Sequence, residues 1–163
     1  LAIIESLHKG EPVNFQSEIY QLTNARFLPR PVQRPRIPVW VASMLPAKAG
    51  QRRSARWGGV MPHNLPVDLE ESQDATDLDC VNEMSPSPSK IREVGEFVSE
   101  LCEDKSAPFD VIASGSTLRM EKESAIKLLE EYRQAGATWW LEWLHEDETV
   151  ANLREFISNG PPA

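Results

Sequence analysis

From residue 39 onward, strand-length apolar runs alternate with amphipathic stretches. VWVAS (39–43) is apolar up to its last residue, the pattern of a parallel strand buried on both faces. PAKAGQRRSARW reads as the helix after it, and GVMP (59–62) as the next strand. In SKIREVGEFVSELCEDK, Ile91, Val94, Val98 and Leu101 recur at helical spacing with Phe97 beside them. FDVIASG (109–115) predicts a third strand. EKESAIKLLEEYRQAG predicts a helix with Ile126, Leu129, Tyr132 and Arg133 in register and Gly136 as its stop. ATWWLEWL (137–144) is the fourth strand, whose alternation sets Thr138, Trp140 and Glu142 on one face and Trp139, Leu141 and Trp143 on the other, the second set being the one expected to pack against helices in a barrel. DETVANLREFISNG closes the series as a helix, with Asn152 and Asn159 near its two ends.

The first 36 residues follow a different rhythm. LAIIESLHKG is helical and ends at Gly10, and VNF (13–15) and IYQL (19–22) flank QSE as a β-hairpin. FLPRPVQRPRIP holds four prolines, which excludes helix and central strand and predicts an extended connector. Residues 66–89 stand apart again. Six acids and no Lys or Arg lie between Asp68 and Asp79, SPSPS follows, and the composition predicts a mobile acidic excursion.

Strands each followed by helical sequence make a parallel α/β arrangement with right-handed crossovers. An open doubly wound sheet and a barrel both satisfy that. The short, evenly spaced strands, with no GxGxxG or GxxxxGK[ST], favour parallel (β/α) units of a TIM-type barrel. A complete barrel takes about 250 residues, so four units amount to half of one. The 163 residues suit a single domain spanning 1–163. A start at Leu1, already inside a helix, fits a piece of something longer.

Charge and cysteine usage narrow the setting. A net charge of -8 argues against a nucleic-acid or anionic-membrane surface, although basic residues gather locally at Arg26–Arg36 and Lys48–Arg56, where a solvated face is the plain explanation. Cys80 and Cys102 are too far apart for a CxxC motif and too few for a disulfide scaffold, so a reducing, cytoplasmic location is expected. No apolar run approaches the roughly 20 residues of a membrane helix, and no metal-ligand spacing emerges from the acids or the three histidines.

At the level of motifs, VQRPRIPVWV, ARWGGV and GATWW, in that order and with a final NGPP, resemble the C-terminal half of luciferase-like flavin-dependent monooxygenases. The resemblance implies strands five to eight of a TIM-type barrel and a cofactor that is FMN or the related deazaflavin coenzyme. It further implies a small-molecule substrate, and either self-association or a partner that supplies the N-terminal half barrel. The isolated chain is then incomplete for catalysis. A non-catalytic, degenerate flavin-binding or protein-interaction module is the alternative.

The expected cofactor site follows from strand-to-helix geometry. Where a strand hands over to a helix, the first N–H groups lack partners and favour an anion. In the family the turn after the first of these strands helps to hold the cofactor phosphate, which points to Ala42, Ser43, Met44 and Leu45 as cofactor-binding, or to Ser43 as an ordinary helix cap. Relatives commonly carry glycine at 42 and 43, and often Asp where Gly58 stands. Ser114 and Gly115 form a second, weaker anion candidate, since barrels generally bind phosphate after strands seven and eight. His63, following the strand 59–62 at the rim, is a candidate proton donor or cofactor contact, or a plain solvent-exposed loop histidine. Glu142, expected to point inwards, is a candidate general base or the structural partner of an interior arginine.

Overall fold

The apolar runs beyond residue 39 become four parallel strands, β3 (Trp40–Leu45), β4 (Gly59–Asn64), β5 (Asp110–Gly115) and β6 (Trp139–Glu142), paired in that order. They belong to a computed structural model that describes residues 1–34, 36–65, 84–144 and 148–162. Two compact units are present, Leu1–Pro38 and Val39–Ala163.

In the first unit, α1 (Ala2–His8) precedes an antiparallel hairpin of β1 (Val13–Gln16) and β2 (Gln21–Ala25). Ser17 makes the turn, its hydroxyl oxygen accepting the N–H groups of Ile19 and Tyr20. Gly10 ends the α1 region at a φ of 72°, a conformation glycine adopts at little cost. Its carbonyl accepts a 2.8 Å hydrogen bond from Arg26 Nε.

The second unit is mixed α/β. Between its strands run α2 (Ala49–Ser54), α3 (Pro88–Leu101) and α4 (Lys122–Gln134), and α5 (Val150–Asn159) closes it. Trp40 pairs with Gly59 and Leu45 with Asn64, Gly59 with Asp110, and Ile112 with Trp139. Such a parallel four-stranded sheet is compatible with a partial TIM-type fold. The strand expected over 39–43 runs on through Met44 and Leu45, and the chain turns only at Pro46. The acidic excursion lies outside the described residues as far as residue 83; its last two residues, Pro88 and Ser89, instead open α3, with Ser87 at the N-cap. Pro at the first helical position costs nothing there, because that N–H has no partner inside a helix.

Parity decides which side chains are covered. Val60, Val111 and Ala113 pack against Ile91, Val94 and Val98 of α3 and Tyr132 and Ala135 at the end of α4. Ile91 and Val98 are fully buried, and truncating Ile91 to Ala would cost about 2–5 kcal/mol. Of the register expected over Ile126, Leu129, Tyr132 and Arg133, Tyr132 is buried, whereas Arg133 is exposed and the other fully covered position is Ala125, with Leu128 packed beside the core. Tyr132 packs on Trp140 of β6, a contact that hydrophobic spacing alone does not reveal. Asn64 Nδ2 donates to the carbonyl of Ser85 at 3.3 Å, and Tyr132 Oη to that of Pro86 at 3.0 Å. Among the described residues no helix is long and apolar enough to cross a membrane.

Candidate functional site

Because side chains alternate along a strand, the residues opposite the helix-packed set share the other face. That face carries Trp40, Ala42 and Met44 from β3, Met61 and His63 from β4, Asp110, Ile112 and Ser114 from β5, and Trp139 and Leu141 from β6. Met44 pairs with His63 and Ser114 with Leu141; carried along β4 and β5, their register sets His63 level with Ser114. One row near the C-terminal ends of the strands therefore reads Met44, His63, Ser114, Leu141.

Two of the four are polar and buried. His63, inside β4 rather than in a loop after it, is 8% exposed and Ser114 2%, and among the described residues neither the His63 Nδ1 nor the Ser114 Oγ has a hydrogen-bond partner. A buried polar atom left unpaired costs about 1–3 kcal/mol, so two in one row mark a place where a partner is expected. Burial also pushes the His63 pKa below its ordinary value of 6.5, because a low-dielectric setting disfavours the imidazolium. The row thus offers a neutral imidazole and a hydroxyl between two apolar side chains.

The N-terminal end of the same face is closed by a polar clamp absent from the expectations. Trp40 Nε1 donates to Asp110 Oδ2 at 3.0 Å, and Trp139 Nε1 and Thr138 Oγ1 both donate to Oδ1 at 3.1 Å. The Trp40 indole reaches Asp110 across Gly59, where a Cβ would lie 2.8 Å from Trp40 Cδ1 and 2.7 Å from the Asp110 carbonyl oxygen. The signal for it was an aspartate inside an otherwise apolar strand with tryptophans on both flanking strands.

The proposed cofactor residues 42–45 divide between faces. Ala42 and Met44 are exposed opposite the helices, whereas Ser43 is 1% exposed and covered by α2. A Cβ on Gly50 would stand 2.7 Å from Ser43 Cα, so glycine permits that close approach. Ser43 Oγ and Gln51 Nε2 are both buried there without partners among the described residues. Ser43 is not the N-cap of the following helix: Lys48 occupies that position, and α2 has six residues. Leu45 packs beside the core cluster and lines a cavity of about 560 Å³ with Lys48, Asn64, Lys90 and Glu93. There Glu93 pairs with Lys90 at 2.8 Å and with Lys48 at 3.6 Å.

At β6 the faces are reversed from the expectation. Trp140, not Trp139, packs towards the helices, its ring centroid 5.1 Å from that of Tyr132, and Trp139 is 51% exposed. The indole of Trp140 fills the space beside Gly115, where a Cβ would lie 2.5 Å from Cη2. Glu142 is held by the loop after β5 and not by an arginine. Its Oε1 accepts the N–H groups of Thr117 and Leu118 and the Ser116 hydroxyl, and its Oε2 the Thr117 hydroxyl and Trp140 Nε1. This carboxylate organises a loop whose backbone donors sequence spacing could not reveal.

The family model described as luciferase-like monooxygenase matches residues 1–78, and this match supports the luciferase-like family for the chain. No curated protein matches it.

Proposed function

From that family match and the buried polar row, we propose that the chain is part of a flavin-dependent oxidoreductase of the luciferase-like class. In this reading the four parallel strands are strands five to eight of a TIM-type barrel, and FMN or the related deazaflavin coenzyme lies against the face that carries His63 and Ser114. The observation that carries the proposal is the pair of unpartnered buried atoms, His63 Nδ1 and Ser114 Oγ, at one level of adjacent strands. A neutral imidazole and a hydroxyl between Met44 and Leu141 fit an uncharged heterocycle, since both can hydrogen-bond to its polar edge while the apolar neighbours exclude water. Ala42 and Met44 would contact the group, and Ser43 would act only through its packing under α2. A bound flavin would supply the redox chemistry, accepting hydride or reacting with oxygen, while these residues orient it.

Titration of the purified chain with FMN and with the deazaflavin, followed by flavin fluorescence, tests the proposal. Saturable binding that weakens at least tenfold in both His63→Ala and Ser114→Ala supports it. No saturable binding of either compound overturns it for this chain.

A second reading has its own support. Residues 42–45 are strand rather than an opened turn, and the following helix is short and begins without a side-chain cap. Both features favour a non-catalytic module that keeps the scaffold without a phosphate turn, and such a module would leave flavin fluorescence unchanged.

A further inference from the structure

The first unit contains a small pocket of about 210 Å³ between α1 and the proline-rich segment. Lys9, Arg30, Arg34 and Arg36 line it with His8, and among the described residues Glu5 is the one carboxylate in its lining. The imbalance is local. Residues 1–38 hold five Lys and Arg against three Asp and Glu, while the whole chain carries -8, and four of those five cations converge on this pocket. Permanent cations around one concavity repel each other and raise a positive potential that an anion relieves. Glu5 offsets only part of it, at 3.8 Å from Arg36 Nε.

The walls are held in place by the backbone. Arg34 Nη1 donates to the carbonyls of Pro31 at 2.6 Å and Gln33 at 3.0 Å, which fixes its guanidinium at the rim. Arg30 lies along the end of the α1 region because residue 10 has no side chain: a Cβ on Gly10 would stand 3.2 Å from Arg30 Cβ. Guanidinium forks match the paired oxygens of phosphate and carboxylate groups. The volume falls below the roughly 300–1,000 Å³ of sites that enclose a whole drug-sized ligand or cofactor, so a headgroup fits and a flavin does not.

We infer that this pocket binds an anionic headgroup, a phosphate or a carboxylate, with Arg30 and Arg34 as its principal ligands and Glu5 as the internal competitor. All of its lining residues belong to the first unit. Isothermal titration calorimetry of the full chain with inorganic phosphate, and separately with succinate, distinguishes the two headgroup chemistries. Saturable binding of at least one anion is expected, weakened tenfold or more in Arg30→Ala and Arg34→Ala and tightened severalfold in Glu5→Gln. Far-ultraviolet circular dichroism of each variant guards against loss of folding, and Glu5→Gln gives a gain that misfolding cannot imitate. No saturable binding of either anion would overturn the inference, as would binding that is indifferent to Arg30→Ala and Arg34→Ala, the result for an anion seated on the second unit.

Discussion

Trp40 and Trp139, on the two outer strands of the sheet, meet with ring centroids 5.3 Å apart and share one acceptor, Asp110. Each indole N–H uses a different carboxylate oxygen, so the aspartate ties β3 to β6 across the two strands between them. Asp110→Ala leaves Trp40 Nε1 and the Thr138 hydroxyl without this acceptor and is expected to cost about 1–3 kcal/mol. Asp110→Asn keeps one acceptor oxygen and should cost less. Urea denaturation gives both values, and an unchanged midpoint for Asp110→Ala would contradict the clamp.

Gly115→Ala is expected to destabilise the chain by about 1–3 kcal/mol through overpacking, because the new methyl meets the Trp140 ring. The Tyr132–Trp140 contact should shift with it, changing the near-ultraviolet circular dichroism. A variant as stable as the parent would show that Trp140 can move aside.

For Glu142→Ala, the loss falls on a cluster of charge-assisted hydrogen bonds, each worth about 1.5–3 kcal/mol before compensation by water. The expected result is a destabilisation of about 2–4 kcal/mol, with hydrogen exchange at the Thr117 and Leu118 amides accelerated well beyond that of α3. Equal acceleration everywhere would mean that the carboxylate acts globally and not on its loop.

Ser43→Ala tests the opposite situation. The hydroxyl is buried without a partner, so its removal should be neutral or stabilise by up to about 1 kcal/mol. A loss of more than that would reveal a hydrogen bond made by Ser43 in solution.

His63 gives a pH dependence of determined sign. Its pKa is lowered on folding by burial, so the unfolded chain binds more protons below the ordinary value of 6.5. Its contribution to stability is full above that pH, declines as the pH falls below it, and levels off beneath the lowered folded value. In thermal melts of the parent and of His63→Gln between pH 8 and 4, the parent should lose stability relative to the variant as the pH falls. A constant difference between them would remove His63 as the titrating group.

Much of the second unit was legible because strand-length apolar runs such as VWVAS and FDVIASG have few other uses. The orientation of TWWLEWL was not, since tryptophans stand on both of its faces and alternation separates two sets without saying which is covered. Gly115 settles that question by making room for Trp140, a contact between strands that no single stretch encodes. Likewise a small polar residue resembles a cap and so suggests that β3 ends at Ser43, whereas the apolar Met44 and Leu45 carry the pairing two residues further. The row of Met44, His63, Ser114 and Leu141 needs the register between strands, which is a property of the folded sheet. The basic group at Arg26–Arg36 was visible as composition, but its convergence on one pocket with α1 depends on how the connector folds back.

The hydrogen bond from Asn64 to Ser85 pins the two ends of an eighteen-residue stretch, 66–83, at the margin of β4 and α3. Once such ends are tied, lengthening the span between them costs only about 0.6 kcal/mol per doubling. Descendants of this sequence can therefore gain or shed residues between those two ends while β4 and the start of α3 remain fastened to each other. Variation between relatives is accordingly expected to concentrate there, with the sheet itself spared.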